Sequence, residues 1–101
     1  MMSLFAVYCR DAENSAELRQ KFMAEHLANV EAVVGKIAVA GPLKEGADTV
    51  GSLFVVKADD EASARAVLEA DPYFAAGVWQ SIEVDQFLAV AGDWVGGITW
   101  K

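Results

Sequence analysis

Arg19 and His26 are the residues whose types and spacing could do chemistry here. His26 is the only histidine in a chain of 101 residues. An imidazole takes or gives a proton near neutral pH. A guanidinium can hold a carboxylate or enolate oxygen through two parallel hydrogen bonds. The two are one heptad apart in a stretch, Ser15 to Val34, that reads as a helix. Stepping about 100° per residue, Leu18, Phe22, Met23, Leu27, Val30, Val33 and Val34 fill one arc. Arg19 and His26 fall inside that arc, whereas Glu17, Lys21, Glu25 and Glu31 fall outside it. Buried polar groups cost free energy unless partnered, so these two side chains are expected to face a cleft or a counter-ion.

Composition bounds what such a cleft could serve. The length fits one domain with one core, and 54% of the residues are apolar, too many for disorder. The formal charge is −7 with no basic run, so duplex nucleic acid is not an expected partner. No apolar run approaches about 20 residues, and no membrane span is expected. The N-terminus lacks the basic and long apolar regions of a secretory signal. The lone Cys9 cannot form an internal disulfide and reads as a small buried hydrophobe. Cytoplasm is the expected location. One His and one Cys give no zinc spacing, and no phosphate loop, dinucleotide fingerprint or haem motif occurs. Neither metal nor cofactor is expected.

Two kinds of element alternate along the chain. Leu4–Cys9 is a short apolar run that reads as a strand, with helix N-cap candidates between Asp11 and Ser15. Gly35 reads as the C-cap of the long helix. Ile37–Ala40 reads as a second strand stopped by Gly41-Pro42, and Lys44–Thr49 as a loop. Ser52–Lys57 is a third strand. Asp59 or Asp60 caps a second helix that runs through Ala70 and is broken by Asp71-Pro72. Gly77–Leu88 reads as a fourth strand. The order β-α-β-β-α-β predicts an α+β, ferredoxin-like fold: a four-stranded antiparallel sheet with two helices on one face. Phe5, Val7 and Cys9 alternate with Leu4, Ala6 and Tyr8, so both sheet faces read as buried. A second copy of the sheet would cover the open face, which predicts a homodimer that could assemble further. Residues 1–90 form the domain, and 91–101 a tail whose Trp94, Ile98 and Trp100 are expected to pack on the domain or its partner.

Four pieces of sequence resemble the YciI-related (YCII) family over nearly the whole chain. They are Arg19 with His26-Leu27, Ala40-Gly41-Pro42, Gly51-Ser52, and Asp71-Pro72-Tyr73 followed by Ala76-Gly77-Val78. The tail beyond Val90 departs from the family pattern. The resemblance implies a dimeric α/β barrel and an active site around a histidine and an aspartate, which map to His26 and Asp71. It also implies relatives that dehydrochlorinate hydroxyquinols, and more distant ones that act as isomerases and cofactor-free monooxygenases.

The residue chemistry fits that reading. A carboxylate beside an imidazole sets its tautomer and stabilises the imidazolium. Asp71 suits the role at a helix end before a proline. Ser52 could donate to a substrate oxygen. Gly41, Pro42 and Gly51 could let a ligand approach the backbone, and Tyr73 and Trp79 could wall a ring. Plainer alternatives stand beside each role. His26 could be a packed core histidine, Arg19 could pair with Asp71 or a partner carboxylate, and Asp71 could be a turn residue. Ser52 could be a plain strand residue, and the aromatics could be core. The expected function is cofactor-independent acid/base catalysis of isomerase, lyase or dehydrochlorinase type on a small cyclic or aromatic acid. His26 would be the base, Asp71 its orienter, and Arg19 and Ser52 the anion holders. The alternatives are a non-catalytic module for a small anionic ligand and a structural dimerisation domain.

Overall fold

A computed structural model describes residues 2–100; Met1 and Lys101, the ends of the expected domain and tail, lie outside the described residues. The strands are β1 (Ser3–Asp11), β2 (Ile37–Glu45), β3 (Asp48–Ala58) and β4 (Trp79–Phe87). They form one antiparallel sheet in the order β2-β3-β1-β4. The helices are α1 (Ser15–Ala32), α2 (Glu61–Glu69) and a short α3 (Pro72–Ala76). The expected α+β fold with its four-stranded sheet and two main helices is the one observed.

Period-two alternation places the core. Phe5, Val7 and Cys9 pair across β1–β3 with Val56, Phe54 and Ser52, and this face packs against the helices. Ala64 and Leu68 of α2, with Tyr73, Val78 and Trp79, close the core from above. Leu18, Phe22 and Val30 of α1 lie against it. Met23, Leu27 and Val34 are 47%, 55% and 60% exposed, so the α1 arc is only half used as core. The opposite face of the sheet carries no helix. There Leu4, Ala6, Tyr8 and Leu53 stay partly exposed in the single chain, and Val39 and Phe87 more so.

Several boundaries differ from the sequence reading for identifiable reasons. Gly41-Pro42 does not stop β2. Pro42 sits opposite Ser52 in an edge strand, where a missing N–H costs no ladder bond on the solvent side. The expected loop Lys44–Thr49 is mostly strand, with a tight turn at Gly46 (φ 61°). Gly35 is not a left-handed cap: Val33 caps α1, and Val34–Lys36 form a 3₁₀ turn. Asp71-Pro72 both ends one helix and starts another. The Asp71 side chain accepts the Tyr73 N–H at 2.8 Å, Pro72 takes the first turn, and Gly77 closes α3 at φ 81°. At α2, Asp60 is the cap, accepting from the Ser63 N–H at 2.8 Å.

The tail forms its own small hairpin of β5 (Ala91–Gly92) and β6 (Gly97–Ile98). Trp94 and Trp100 are 85% and 65% exposed within one chain. No helix among the described residues is long and apolar enough to cross a membrane.

Cys9 is fully buried and free. Burial pushes its thiol from 9.0 up to about 12; the carboxylates of Asp71 and Asp11 add to the rise, and Arg19 and Arg65 oppose it. The unfolded chain therefore loses this proton near the ordinary thiol value while the folded chain keeps it. This contribution to stability is complete below the unfolded pKa of 9.0 and is lost as pH rises toward about 12. Urea unfolding at pH 8, 10 and 11 is expected to show that decline. Cys9→Ala should make it shallower, with Tyr73, whose pKa burial also raises, supplying part of what remains, and an undiminished decline in that variant would exclude the thiol as a source.

Candidate active site

Every polar group of the site hangs from a structural element. The β1 strand ends at Asp11, and α1 crosses above it so that Arg19 and His26 point inward, each with a side chain 13% exposed. Arg19 donates from Nε to Asp11 Oδ2 at 2.7 Å and from Nη2 to Asp11 Oδ1 at 2.8 Å. The same Nη2 donates to Ser52 Oγ at 3.0 Å and to the Gly51 carbonyl at 3.3 Å. Burial works against the Arg19 charge, but the hydrogen bond and charge of Asp11 outweigh it, and its pKa ends above the ordinary value.

Two turns further along α1, His26 Nδ1 lies 2.8 and 2.9 Å from the two oxygens of Asp71. Asp71 is 2% exposed and is itself fixed: it accepts from the Tyr73 N–H at 2.8 Å and from Asn29 Nδ2 at 3.3 Å. A carboxylate so placed selects the Nδ1–H tautomer of a neutral imidazole and leaves Nε2 as the basic nitrogen. The His26 ring stacks on Tyr73 with centroids 3.8 Å apart and planes 6° apart. Trp79 stands edge-on to both rings, at 6.3 Å from His26 and 5.9 Å from Tyr73. Tyr73 donates its hydroxyl to the Arg19 carbonyl at 3.0 Å. Burial raises the Tyr73 pKa, aided by Asp71 and Asp11 and opposed by Arg19, so this group stays a protonated donor.

These groups border a cleft of about 280 Å³ between α1 and β2, whose walls include Val30, Ala40, Gly41, Pro42 and Phe54. Arg19, His26, Ser52 and Tyr73 supply its polar atoms. A larger groove of about 640 Å³ runs past the start of α1 toward the β2–β3 turn and shares Arg19 and Met23. The imidazole and Ser52 belong to the smaller cleft alone. No group of three or more His, Cys, Asp or Glu side chains among the described residues is arranged to hold a metal ion.

The structure thus gathers Arg19, His26, Gly41, Pro42, Ser52 and Tyr73 around one space, with Asp71 behind the imidazole. Three expectations need correction. Arg19 pairs with Asp11, not Asp71. Trp79 braces the stacked rings from behind and does not line the cleft. Gly51 is small because β1 is close: a Cβ there would lie 2.4 Å from the Cys9 carbonyl oxygen. Asp11 and Asn29 were not singled out. Asp11 reads in the sequence as one of the N-cap candidates before α1 but is the last residue of β1, and nothing in linear spacing links a strand end to a helix side chain crossing above it.

Residues 3–88 match the YCII-related domain. The protein YciI of Escherichia coli O6:H1 is 30% identical over 96 residues, covering 86% of this chain and 98% of that one. Among solved structures, TftG, the 5-chloro-2-hydroxyhydroquinone dehydrochlorinase of Burkholderia phenoliruptrix AC1100 in complex with 2,5-dihydroxybenzoquinone, has a TM-score of 0.75. It is 29% identical, and the match covers 89% of this chain and 96% of that one. A NIPSNAP-like domain protein from Burkholderia xenovorans, 18% identical at TM-score 0.56, covers 88% of this chain and 85% of its own and shares the fold. The chain belongs to the YCII-related family.

Proposed function

We propose that the chain is a cofactor-independent enzyme that uses His26 and Asp71 for general acid/base chemistry on a small cyclic or aromatic substrate. The observation that carries this reading is the Nδ1–carboxylate contact of 2.8 Å at the wall of an open cleft. His26 Nε2 takes a proton from the substrate, and Asp71 stabilises the imidazolium that forms. The electron pair left behind either forms a double bond and expels an anionic leaving group, or is reprotonated by His26 at another atom. The first outcome is elimination, as in dehydrochlorination; the second is isomerisation. Tyr73 holds the imidazole plane, and Arg19 holds Ser52 in place. Support also comes from TftG, whose name states such an elimination.

The active form in this reading is a homodimer in a reducing compartment such as the cytoplasm. The partly exposed apolar face around Leu4, Ala6, Tyr8 and Leu53 and the exposed Trp94 and Trp100 are the surfaces a second copy would cover.

The test is a panel of small cyclic and aromatic compounds, chlorinated hydroxyquinols among them, monitored for product and chloride. His26→Ala is expected to lower turnover by about 10²–10⁴-fold with binding retained. Unchanged turnover in that variant would remove His26 from the chemistry. Binding without turnover across the panel would select the non-catalytic ligand-binding alternative.

A further inference from the structure

Stacking on Tyr73, with planes 6° apart, fixes the plane of the His26 imidazole. A stacked contact resists tilting of a ring far more than turning within its own plane. The direction in which Nε2 points is therefore set at the other nitrogen, by the oxygen that accepts there.

Nδ1 carries a proton whenever it faces a carboxylate, whether the ring is neutral or charged. It lies 2.8 Å from Asp71 Oδ1 and 2.9 Å from Oδ2, so one N–H is shared almost evenly between two acceptors. Each oxygen also has a donor of its own. Oδ1 accepts the Tyr73 N–H at 2.8 Å, and Oδ2 accepts from Asn29 Nδ2 at 3.3 Å. Each of these donors occupies a lone pair and draws charge to its own side of the carboxylate. The Tyr73 N–H belongs to the backbone of α3 and cannot move without the helix. The Asn29 amide balances it from α1. Asn29 follows His26 by three residues, so one helix face carries both side chains. Asp71 is 2% exposed, and bulk water does not reach it to replace a lost donor. Among the described residues no other side chain donates to Asp71. Asn29 does not border the cleft, so it touches no substrate.

We propose, on the acid/base reading above, that Asn29 is a positioning residue: its amide holds the Asp71 carboxylate square to the imidazole and thereby aims Nε2 into the cleft. Without that amide, Oδ2 keeps only the imidazole N–H and becomes the stronger acceptor. The N–H settles on Oδ2, carboxylate and ring turn together, and Nε2 swings off the line on which it meets a substrate proton.

The chain has a single histidine, so nitrogen-15 labelling of histidine gives one imidazole signal set in the intact protein. Asn29→Leu keeps the branching of the side chain and removes the donor. Its Nδ1–H proton resonance is expected to move downfield, because an N–H given to one oxygen makes a shorter and straighter bond than one shared by two. Asn29→Ala also lacks the donor and should move the resonance in the same direction. Leucine and alanine are both better helix formers than asparagine, so α1 is retained. On any compound that the wild type turns over, Asn29→Leu should lose about tenfold in kcat with KM unchanged, the effect of one hydrogen bond to a charged group. A resonance unmoved in both variants, or a loss confined to KM, overturns the proposal. Failure of the acid/base reading looks different. A moved resonance in a protein that turns over no compound leaves Asn29 in its role and removes the enzyme, whereas turnover with an unmoved resonance does the reverse.

Discussion

Asp71→Asn is expected to lower turnover by about four orders of magnitude while the fold survives. The two consequences separate because Asp71 does two jobs with different chemical requirements. As the cap of α3 it must only accept the Tyr73 N–H, now at 2.8 Å, and an asparagine oxygen does that nearly as well. As the partner of His26 it must accept from Nδ1–H and offset a positive charge, and an amide does neither when its NH₂ faces the ring. Nδ1 then becomes the acceptor, the proton moves to Nε2, and the nitrogen facing the cleft is no longer a base. Nitrogen-15 NMR of the single imidazole reads this directly, since neutral wild-type protein should show Nδ1–H and the variant Nε2–H. A small loss of thermal stability with the tautomer switched is the expected pair of results. An unaltered tautomer would mean that Asp71 serves only as a helix cap. The Tyr73 stack at 3.8 Å supports the contrast, because it holds the ring plane in place while the hydrogen bond changes.

Features set by local period were legible in the sequence. The alternation of Phe5, Val7 and Cys9 located the helix-covered face of the sheet, and the heptad from Arg19 to His26 placed both side chains inward. Less was legible where one residue type serves two physical purposes. Asp71-Pro72 stops a helix and starts one with the same atoms, and α3, which carries Tyr73, was missed with it. Gly41-Pro42 carries a turn signature yet runs straight, because an edge strand has no neighbour on its outer side for Pro42 to lack a bond with. Met23, Leu27 and Val34 fit the apolar arc but stay exposed, as the inward angle is taken up by the polar cluster. The Asp11–Arg19 pair was not legible at all, since it depends on where α1 crosses β1 and no periodicity encodes that crossing.

One added methyl group is expected to be costly at Gly51, where alone among the glycines it would meet neighbouring atoms within 4 Å. Gly51 pairs with Arg10 across β1–β3, and a Cβ built on it lies 2.4 Å from the Cys9 carbonyl oxygen. Ordinary carbon–oxygen contacts between strands are about 3.3–3.6 Å, so alanine overlaps by about 1 Å. The Cβ position is fixed by the Gly51 backbone and the oxygen is itself backbone, so no flexible side chain can give way. The strands must part, which weakens the ladder at Cys9–Ser52 and shifts the Gly51 carbonyl that accepts from Arg19 at 3.3 Å. Gly51→Ala is expected to lose about 3 kcal/mol, the upper end of the overpacking range. For a domain of this length that is a fall in melting temperature of roughly 12–24 °C. Gly41→Ala supplies the contrast. Nothing lies within 4 Å of the Cβ it would add, and its backbone does not use the left-handed region. That variant should melt within about 5 °C of wild type. Equal melting temperatures for the two variants would show that the β1–β3 approach at Gly51 relaxes freely. The same relaxation would loosen Ser52 and its Arg19 contact, so the glycine also fixes where that hydroxyl stands in the cleft.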